Sequence, residues 1–150
     1  MIYGILIGAF ILNYFLAVTR IPFLVAEFVA GLPFPALGVL GFIMLLYLLL
    51  GCLLDGAAMM LLTIPIFFPL AMRLGFDPIW FGILICRAME MAMITPPIGI
   101  NVYVIAGVAP DVPMHIIFKG IFPFLMADIA HVLLLIVVPS ITLFLPNLFG

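Results

Sequence analysis

The chain has 150 residues, of which 69% are hydrophobic and only 7% are charged, and its mean hydropathy is +1.60. This composition excludes an ordinary soluble domain and indicates an integral membrane protein. The formal net charge of -2 comes from four basic and six acidic residues, scattered without the Lys/Arg cluster that binding to nucleic acid or anionic lipid needs. We therefore expect one membrane domain over residues 1–150, surrounded by a lipid bilayer and without a nucleic-acid partner.

The first predicted elements are a membrane span and an interfacial helix. Residues 1–19 are apolar apart from Asn13, and as a helix they would reach about 27 Å, enough to cross the hydrocarbon core. Residues 20–32 carry one acidic residue, Glu27, among apolar residues at helical spacing. This pattern predicts a helix that lies along the membrane surface, and Pro33 ends it.

Residues 36–72 predict a helical hairpin with its tip at 54–56. Two apolar segments meet at Asp55 with too few residues between them for an aqueous loop, and one continuous helix of about 55 Å would overshoot any bilayer. Two full crossings would place the carboxylate at a surface, whereas a re-entrant hairpin would place it near the midplane, where charge is costly and usually functional. Pro65 and Pro69 would kink or shorten the returning helix, which favours the re-entrant form.

A polar turn and a broken span follow the hairpin. Gly75 is placed to end one helix and Pro78 to open the next. Residues 79–109 form one apolar stretch interrupted by Pro96 and Pro97, which remove backbone donors and disfavour helical geometry before them. Backbone opened at membrane depth persists only where protein buries it or where it lines a hydrated site, so the break indicates ion or solute handling.

The last predicted element is a closing span over residues 120–146. As one helix it would reach about 40 Å, long enough to cross a bilayer when tilted. Pro139 should kink this helix.

The hairpin tip and the broken span together predict an ion and solute site. Carbonyls freed around the tip and the break, together with the hydroxyl of Thr95, are hard oxygen ligands that suit a small cation such as sodium. The half-helix that starts near Gly99 directs its amides and its positive end towards an anion such as a carboxylate. The predicted sodium residues are Gly51, Leu54, Asp55, Ile94 and Thr95, and the predicted substrate residues are Pro96, Pro97, Gly99 and Asn101.

Structural alternatives exist for the polar residues. Asp55 would also serve as the N-cap of the next helix, and the hydroxyl of Thr95 would also bond back to a helical carbonyl. The position of Thr95 directly before two prolines favours the ligand role.

Further charged residues lie within predicted helices. Arg87 and Glu90 are three residues apart, and a mutually neutralising pair explains them at least as well as a substrate contact. Asp128 and His131 repeat that spacing, for which a structural hydrogen-bonded pair is favoured over a proton-carrying role.

Several motifs stand in a fixed order across residues 36–109. They are GCLLD at 51–55, IPIFFP at 64–69, LGFDP at 74–78 with FGI at 81–83, and Glu90 followed by ITPPIGIN at 94–101. Their order and spacing closely resemble the large membrane subunit of tripartite ATP-independent periplasmic (TRAP) transporters. The flanking helices fit the C-terminal region of that subunit more loosely.

That resemblance implies an all-α integral membrane protein, the C-terminal inverted repeat of an elevator-type secondary transporter, with a re-entrant hairpin and a proline-broken transmembrane helix. It implies sodium-coupled import of an organic acid, such as a C4-dicarboxylate or sialic acid, without ATP or a cofactor beyond the coupling sodium. The implied location is the bacterial or archaeal inner membrane, as a multi-pass protein.

The resemblance also implies partners. They are a small membrane subunit, a periplasmic solute-binding protein and the missing N-terminal repeat of the large subunit. The chain is therefore expected to be a fragment that is inactive alone.

Two other functions remain open from the sequence. One is a fragment of another elevator-type sodium/anion symporter, similar to the divalent-anion symporters, and the other is a non-transporting membrane scaffold. An enzyme is not expected, because no nucleophile, base and orienting residue occur at usable spacing.

Overall fold

The structure, a computed structural model, describes residues 2–31, 33–51, 54, 56–95 and 99–149, and within them it has helices joined by turns and no strand. The prediction of an all-α fold is confirmed. In chain order the helices are α1 (Ile2–Thr19), α2 (Ile21–Ala30), α3 (Ala36–Gly51), α4 (Gly56–Arg73), α5 (Pro78–Ile94), α6 (Ile100–Val108), α7 (Met114–Val137) and α8 (Ser140–Phe149).

Two helices in the described part of the chain are long and apolar enough to cross a membrane. They are α4, with 18 residues, and α7, with 24 residues. Residues 7–19 and 21–29 would supply a third span if they act as one element bent by 60°. Helix α3 is also apolar, but its 16 residues reach only about 24 Å, short of the roughly 30 Å hydrocarbon core.

The bend between α1 and α2 is made at Arg20. Its φ of 55° is the only positive φ of a non-glycine residue among those described. A residue with a β-carbon seldom adopts this left-handed conformation, and here it turns the chain so that α2 packs against α4. The predicted interfacial helix at 20–32 corresponds to α2.

Helices α3 and α4 fold back on each other as a hairpin. The hydroxyls of Tyr47 and Thr63 are hydrogen-bonded in the buried interface between them, and Thr63 donates onward to the carbonyl of Met59 at 2.7 Å. The rings of Tyr47 and Phe67 also meet, with centroids 5.9 Å apart. Tyr47 and Thr63 lie 16 positions apart, so the hairpin is centred on position 55, although Asp55 itself lies outside the described residues.

The turn between α4 and α5 follows the local sequence signals closely. The N–H groups of Gly75 and Phe76 donate to carbonyls in the last turn of α4, at 3.2 and 3.1 Å, and Gly75 has a φ of 80°. This is the left-handed glycine ending of a helix. The Asp77 side chain then accepts two amides at the start of α5, at 2.8 and 3.0 Å, with Pro78 in the first turn. The predictions for Gly75 and Pro78 are confirmed.

Helix α5 is the centre of the molecule. It contacts α3, α4, α6, α7 and α8, and seven of its 17 residues are buried. The hydrophobic core lies mainly between α3, α4 and α5. The buried residues of α5 are Trp80, Phe81, Leu84, Ile85, Ala88, Met91 and Ala92.

The closing helix differs from the single span predicted over residues 120–146. Helix α7 starts earlier, directly after Pro113, because the first turn of a helix does not need the amide that proline lacks. It also ends before Pro139, which cannot donate to the carbonyl of Leu135. The indole Nε1 of Trp80 donates to that carbonyl instead, at 2.8 Å, so the chain breaks into α7 and α8 where a kink was predicted.

The charged residues of α5 and α7 form two ion pairs, one within α5 and one between the two helices. Arg87 forms one ion pair with Glu90 and a second one with Asp128. The predicted bond between Asp128 and His131 is therefore replaced, because α7 runs antiparallel to α5 and brings Asp128 to the Arg87 guanidinium. His131 is exposed.

Candidate functional site

The end of the hairpin lies directly against α5. A methyl group added at Gly51, the last residue of α3, would lie 2.2 Å from the Cβ of Ala92. One added at Gly56, the first residue of α4, would lie 3.0 Å from the sulfur of Met89. Residues three apart on a helix share a face. Both helices of the hairpin therefore rest on one face of the last turns of α5.

Helix α5 stops where the hairpin touches it. Its last residue is Ile94, and Thr95 follows in an extended conformation (φ -78°, ψ 133°). Helix α6 starts after Gly99, which is left-handed (φ 49°, ψ 79°). We call the segment between these two helices, residues 95–99, the break. Pro96 and Pro97 lie outside the described residues.

Gly99 is required in the break for two reasons. Its positive φ strains any residue with a β-carbon. A methyl group there would also lie 3.0 Å from the Cγ2 of Val102 and 3.3 Å from the carbonyl oxygen of Thr95. The backbone of the break is therefore packed closely at both ends, and Gly99 is buried.

The hydroxyl of Thr95 donates to the carbonyl of Met91 at 2.6 Å. This is the hydrogen bond to a helical carbonyl that the sequence indicated as the structural alternative for Thr95. A hydroxyl that donates its hydrogen keeps its lone pairs, so this bond does not exclude a further contact of the Thr95 oxygen with a cation. Thr95 is also the C-cap residue of α5.

The helix termini around the hairpin end and the break carry complementary partial charges. Helices α3 and α5 arrive with their C-terminal ends, whose carbonyls are partly negative, whereas α4 and α6 leave from their N-terminal ends, whose amides are partly positive. The contacts of Gly51 and Gly56 with α5 bring these ends together. Such an arrangement offers carbonyls to a cation and amides to an anion.

The predicted site residues are only partly described. Gly51 and Leu54 lie at the hairpin end, Ile94 is the last residue of α5, and Thr95 and Gly99 lie in the break, whereas Asp55, Pro96 and Pro97 lie outside the described residues. Asn101 is exposed in the first turn of α6. Among the described residues, no three His, Cys, Asp or Glu side chains are grouped closely enough to hold a metal ion.

The sequence interpretation missed the residues that receive the hairpin. Ala92 and Met89 fix its end, and Met91 accepts the Thr95 hydroxyl. A small residue at position 92, close before the break, is the one local signal. Its partner at Gly51 is remote in sequence, so this signal does not identify the contact.

Comparison with known proteins places this arrangement in context. A family model described as "Tripartite ATP-independent periplasmic transporter, DctM component" matches residues 1–141. The C4-dicarboxylate TRAP transporter large permease protein DctM of Pseudomonas aeruginosa is 32% identical over 150 residues, covering 100% of this chain and 35% of the relative. The sialic acid TRAP transporter large permease protein SiaM of Vibrio cholerae is 32% identical over 142 residues, covering 95% and 33%.

A shorter match has higher identity. The C4-dicarboxylate TRAP transporter large permease protein DctM of Rhodobacter capsulatus is 39% identical over 106 residues, covering 71% of this chain and 24% of the relative. The chain therefore spans between 24% and 35% of the length of these curated relatives.

Proposed function

Since the chain belongs to the DctM family of tripartite ATP-independent periplasmic transporters, we propose that it forms the C-terminal part of a large membrane subunit that couples sodium entry to the import of an organic acid. The family consists of transporters rather than enzymes. The observation that carries the proposal is the contact between the hairpin end and the last turns of α5 at the break.

The proposed sodium site uses oxygen atoms from both elements. We propose that carbonyls around Gly51, Leu54 and Ile94 bind the ion together with the hydroxyl oxygen of Thr95. The contact of Gly51 with Ala92, close to the C-terminal end of α5, supports this because it brings the C-terminal ends of α3 and α5 together. Oxygen ligands of this kind suit a hard cation, and the partial negative charge of two helix ends offsets part of its charge. Asp55, in the tip between α3 and α4, supplies the full negative charge.

The proposed substrate site uses the start of α6, on the C-terminal side of the break. The first amides of α6 have no helical acceptor, and an anionic carboxylate is the natural ligand for them. Gly99 lets the backbone approach the ligand closely, and Asn101 adds an exposed amide side chain. Pro96 and Pro97, which lie outside the described residues, are proposed as part of the same substrate site. The names of the relatives specify C4-dicarboxylates and sialic acid, and both carry carboxylates. We propose an organic acid such as a C4-dicarboxylate.

The proposal extends to topology and partners. We propose that the hairpin is re-entrant and belongs to an elevator-type repeat, which the length of α3, 16 residues and short of a full crossing, supports, although α4 is long enough to cross. Because the chain spans about a third of the P. aeruginosa relative, we propose that transport needs the N-terminal repeat of the large subunit. It also needs a small membrane subunit and a periplasmic solute-binding protein, in the inner membrane of a bacterium or archaeon. The chain alone is then inactive.

The experiment measures sodium-dependent uptake of labelled organic acids into proteoliposomes. The proteoliposomes contain this chain joined to the rest of the large subunit, together with the small membrane subunit and the binding protein. Thr95→Val removes the hydroxyl with little change in shape. Thr142→Val is the matched control, because the Thr142 hydroxyl also donates to a backbone carbonyl, that of Pro139 at 2.7 Å, but lies on α8. We expect Thr95→Val to raise the sodium concentration for half-maximal uptake about tenfold and Thr142→Val to leave it unchanged.

The same assay separates the alternatives. A non-transporting scaffold would assemble with its partners but show no uptake. A symporter of the divalent-anion type would take up substrate without the binding protein. Equal sodium dependence of Thr95→Val and wild type would contradict the proposed ligand role of the hydroxyl.

A further inference from the structure

Two arginines that are far apart in the sequence line one groove. Arg20 follows α1, and Arg73 is the last residue of α4. Together with Phe23, Leu24 and Glu27 of α2 they line a cavity of about 440 Å³. The sequence shows no cluster of basic residues, and the fold creates this one by packing α2 against α4.

The groove has an excess of positive charge. Arg73 donates to the carboxylate of Glu27 at 2.9 Å, and both side chains remain about half exposed, at 43% and 57%. Arg20 forms no ion pair with any described residue. The groove therefore holds two guanidinium groups and one carboxylate, which pairs with Arg73 alone among the described residues, and Arg73 keeps donors that Glu27 does not use.

The groove lies at the ends of two apolar helices. Helix α1 ends directly before Arg20, and α4, which is long enough to cross a membrane, ends at Arg73 and leads into the polar turn at Asp77. If α4 crosses a bilayer, both arginines would lie where hydrocarbon gives way to water. On α2, Phe23 and Leu24 are 49% and 59% exposed and give the groove an apolar wall.

The backbone is strained where the groove is formed. Arg20 has the left-handed conformation described above, and such residues persist where the surrounding structure fixes them, often at binding sites. The resulting 60° bend turns α2 towards α4 and places both Arg20 and Glu27 in the groove.

We propose that this groove binds the headgroup phosphate of an anionic phospholipid. The guanidinium of Arg20 and the remaining donors of Arg73 bind the phosphate oxygens, for which the planar arginine fork is well suited. The acyl chains lie along Phe23 and Leu24. A membrane lipid is favoured over a soluble phosphate, because the groove has an apolar wall and lies at the end of α4, which is long enough to cross a membrane.

The test is native mass spectrometry of the whole chain in neutral detergent, titrated with phosphatidylglycerol or with phosphatidylcholine of the same acyl chains. We expect phosphatidylglycerol to be retained about fivefold more strongly, and Arg20→Gln to remove that preference. Lys119→Gln is the control, since Lys119 is an exposed basic residue on α7 outside the groove. Equal retention of the two lipids, or equal effects of Arg20→Gln and Lys119→Gln, would overturn the proposal.

The second arm of the test uses a variant that should bind phosphatidylglycerol more tightly. Glu27→Gln removes the carboxylate that competes for Arg73, so we expect tighter binding of phosphatidylglycerol, a result that a misfolded variant would not give. Weaker binding would mean that the pair between Arg73 and Glu27 only supports the fold, and would contradict the proposal. In a third arm, competition by millimolar glycerol phosphate as strong as that by the lipid would show that the ligand is a soluble phosphate rather than a phospholipid.

Discussion

The proline breaks after α5 and after α7 are satisfied in different ways. After α7, Pro139 leaves the carbonyl of Leu135 without a helical donor, and the indole of Trp80 replaces it at 2.8 Å. After α5, Pro97 likewise cannot donate to the carbonyl of Met93. There the chain passes through an extended residue and a left-handed glycine before the next helix starts.

The difference separates a break that a side chain satisfies from the one at which we propose a binding site. At the break after α7, a side chain of a neighbouring helix bonds the carbonyl that Pro139 leaves without a donor, so this carbonyl needs no ligand. The break after α5 lies instead beside the end of a hairpin, where several helix ends meet. Backbone groups gathered in this way are an arrangement that serves ions and substrates in membrane transporters. The surroundings of a proline therefore indicate its role better than the proline itself.

The largest expected effect comes from Gly51→Ala. Its methyl group would lie 2.2 Å from the Cβ of Ala92, so the hairpin end must move away from α5. We expect uptake to be abolished and stability to fall by about 1–3 kcal/mol. Gly41→Ala on the same helix is the control, because nothing lies within 4 Å of a methyl group there.

A second substitution sharpens this prediction. Combining Gly51→Ala with Ala92→Gly moves the methyl group to the other helix and should restore much of the uptake. If the double variant is as inactive as Gly51→Ala alone, the contact does not position the site.

The next effect is expected for Gly99→Ala. The substitution places a β-carbon at a φ of 49° and 3.3 Å from the Thr95 carbonyl, at a cost of about 1–2 kcal/mol. Because the distortion falls on the start of α6, we expect the KM for the organic acid to rise several-fold. Gly107→Ala, also in α6 but with open space around it, should transport normally. An unchanged KM in Gly99→Ala would count against a substrate role for the break.

A purely structural effect is expected at the repaired break. Trp80→Phe leaves the buried carbonyl of Leu135 without its donor, which should cost about 1–3 kcal/mol of stability. The sodium concentration for half-maximal uptake should not change. Thermal unfolding and uptake of the same preparation check both statements, with Tyr103→Phe on the exposed face of α6 as control. A shifted sodium dependence would mean that the two breaks are not separate in function.

The smallest effect is expected from the ion pair between Arg87 and Asp128, which joins the same two helices. Each side chain is 25% exposed. Arg87→Gln therefore leaves the partly buried Asp128 carboxylate without this partner, whereas Asp128→Asn leaves Arg87 paired with Glu90. A double-mutant cycle of Arg87→Gln and Asp128→Asn should give a coupling energy of about 1 kcal/mol in thermal unfolding. Strictly additive effects would show that the pair does not hold α7 to α5.

Local signals in the sequence predicted local structure well. The ending at Gly75, the start at Pro78 and the all-α fold follow from backbone preferences that act within a few residues. The early start of α7 also had a local signal, the proline at position 113, but the hydrophilic residues around it favoured a loop. Family membership was predicted from the order of short motifs and agrees with the match over residues 1–141.

Contacts between remote segments were not predictable in the same way. Almost every helix is apolar on all sides, so periodicity does not show which face meets a neighbour. For this reason the sequence did not reveal the contact of Gly51 with Ala92 or the pairing of Asp128 with Arg87. The groove between Arg20 and Arg73 was missed for the same reason.

The most direct test of the sodium site is the effect of sodium on the melting temperature of the complete large subunit. A ligand that binds only the folded state stabilises it in proportion to the logarithm of its concentration. We predict that sodium, but not potassium, raises the melting temperature of wild type and of Thr142→Val, and that Asp55→Asn and Thr95→Val lose this response. A sodium response that survives in both Asp55→Asn and Thr95→Val would contradict a site between the hairpin end and the break.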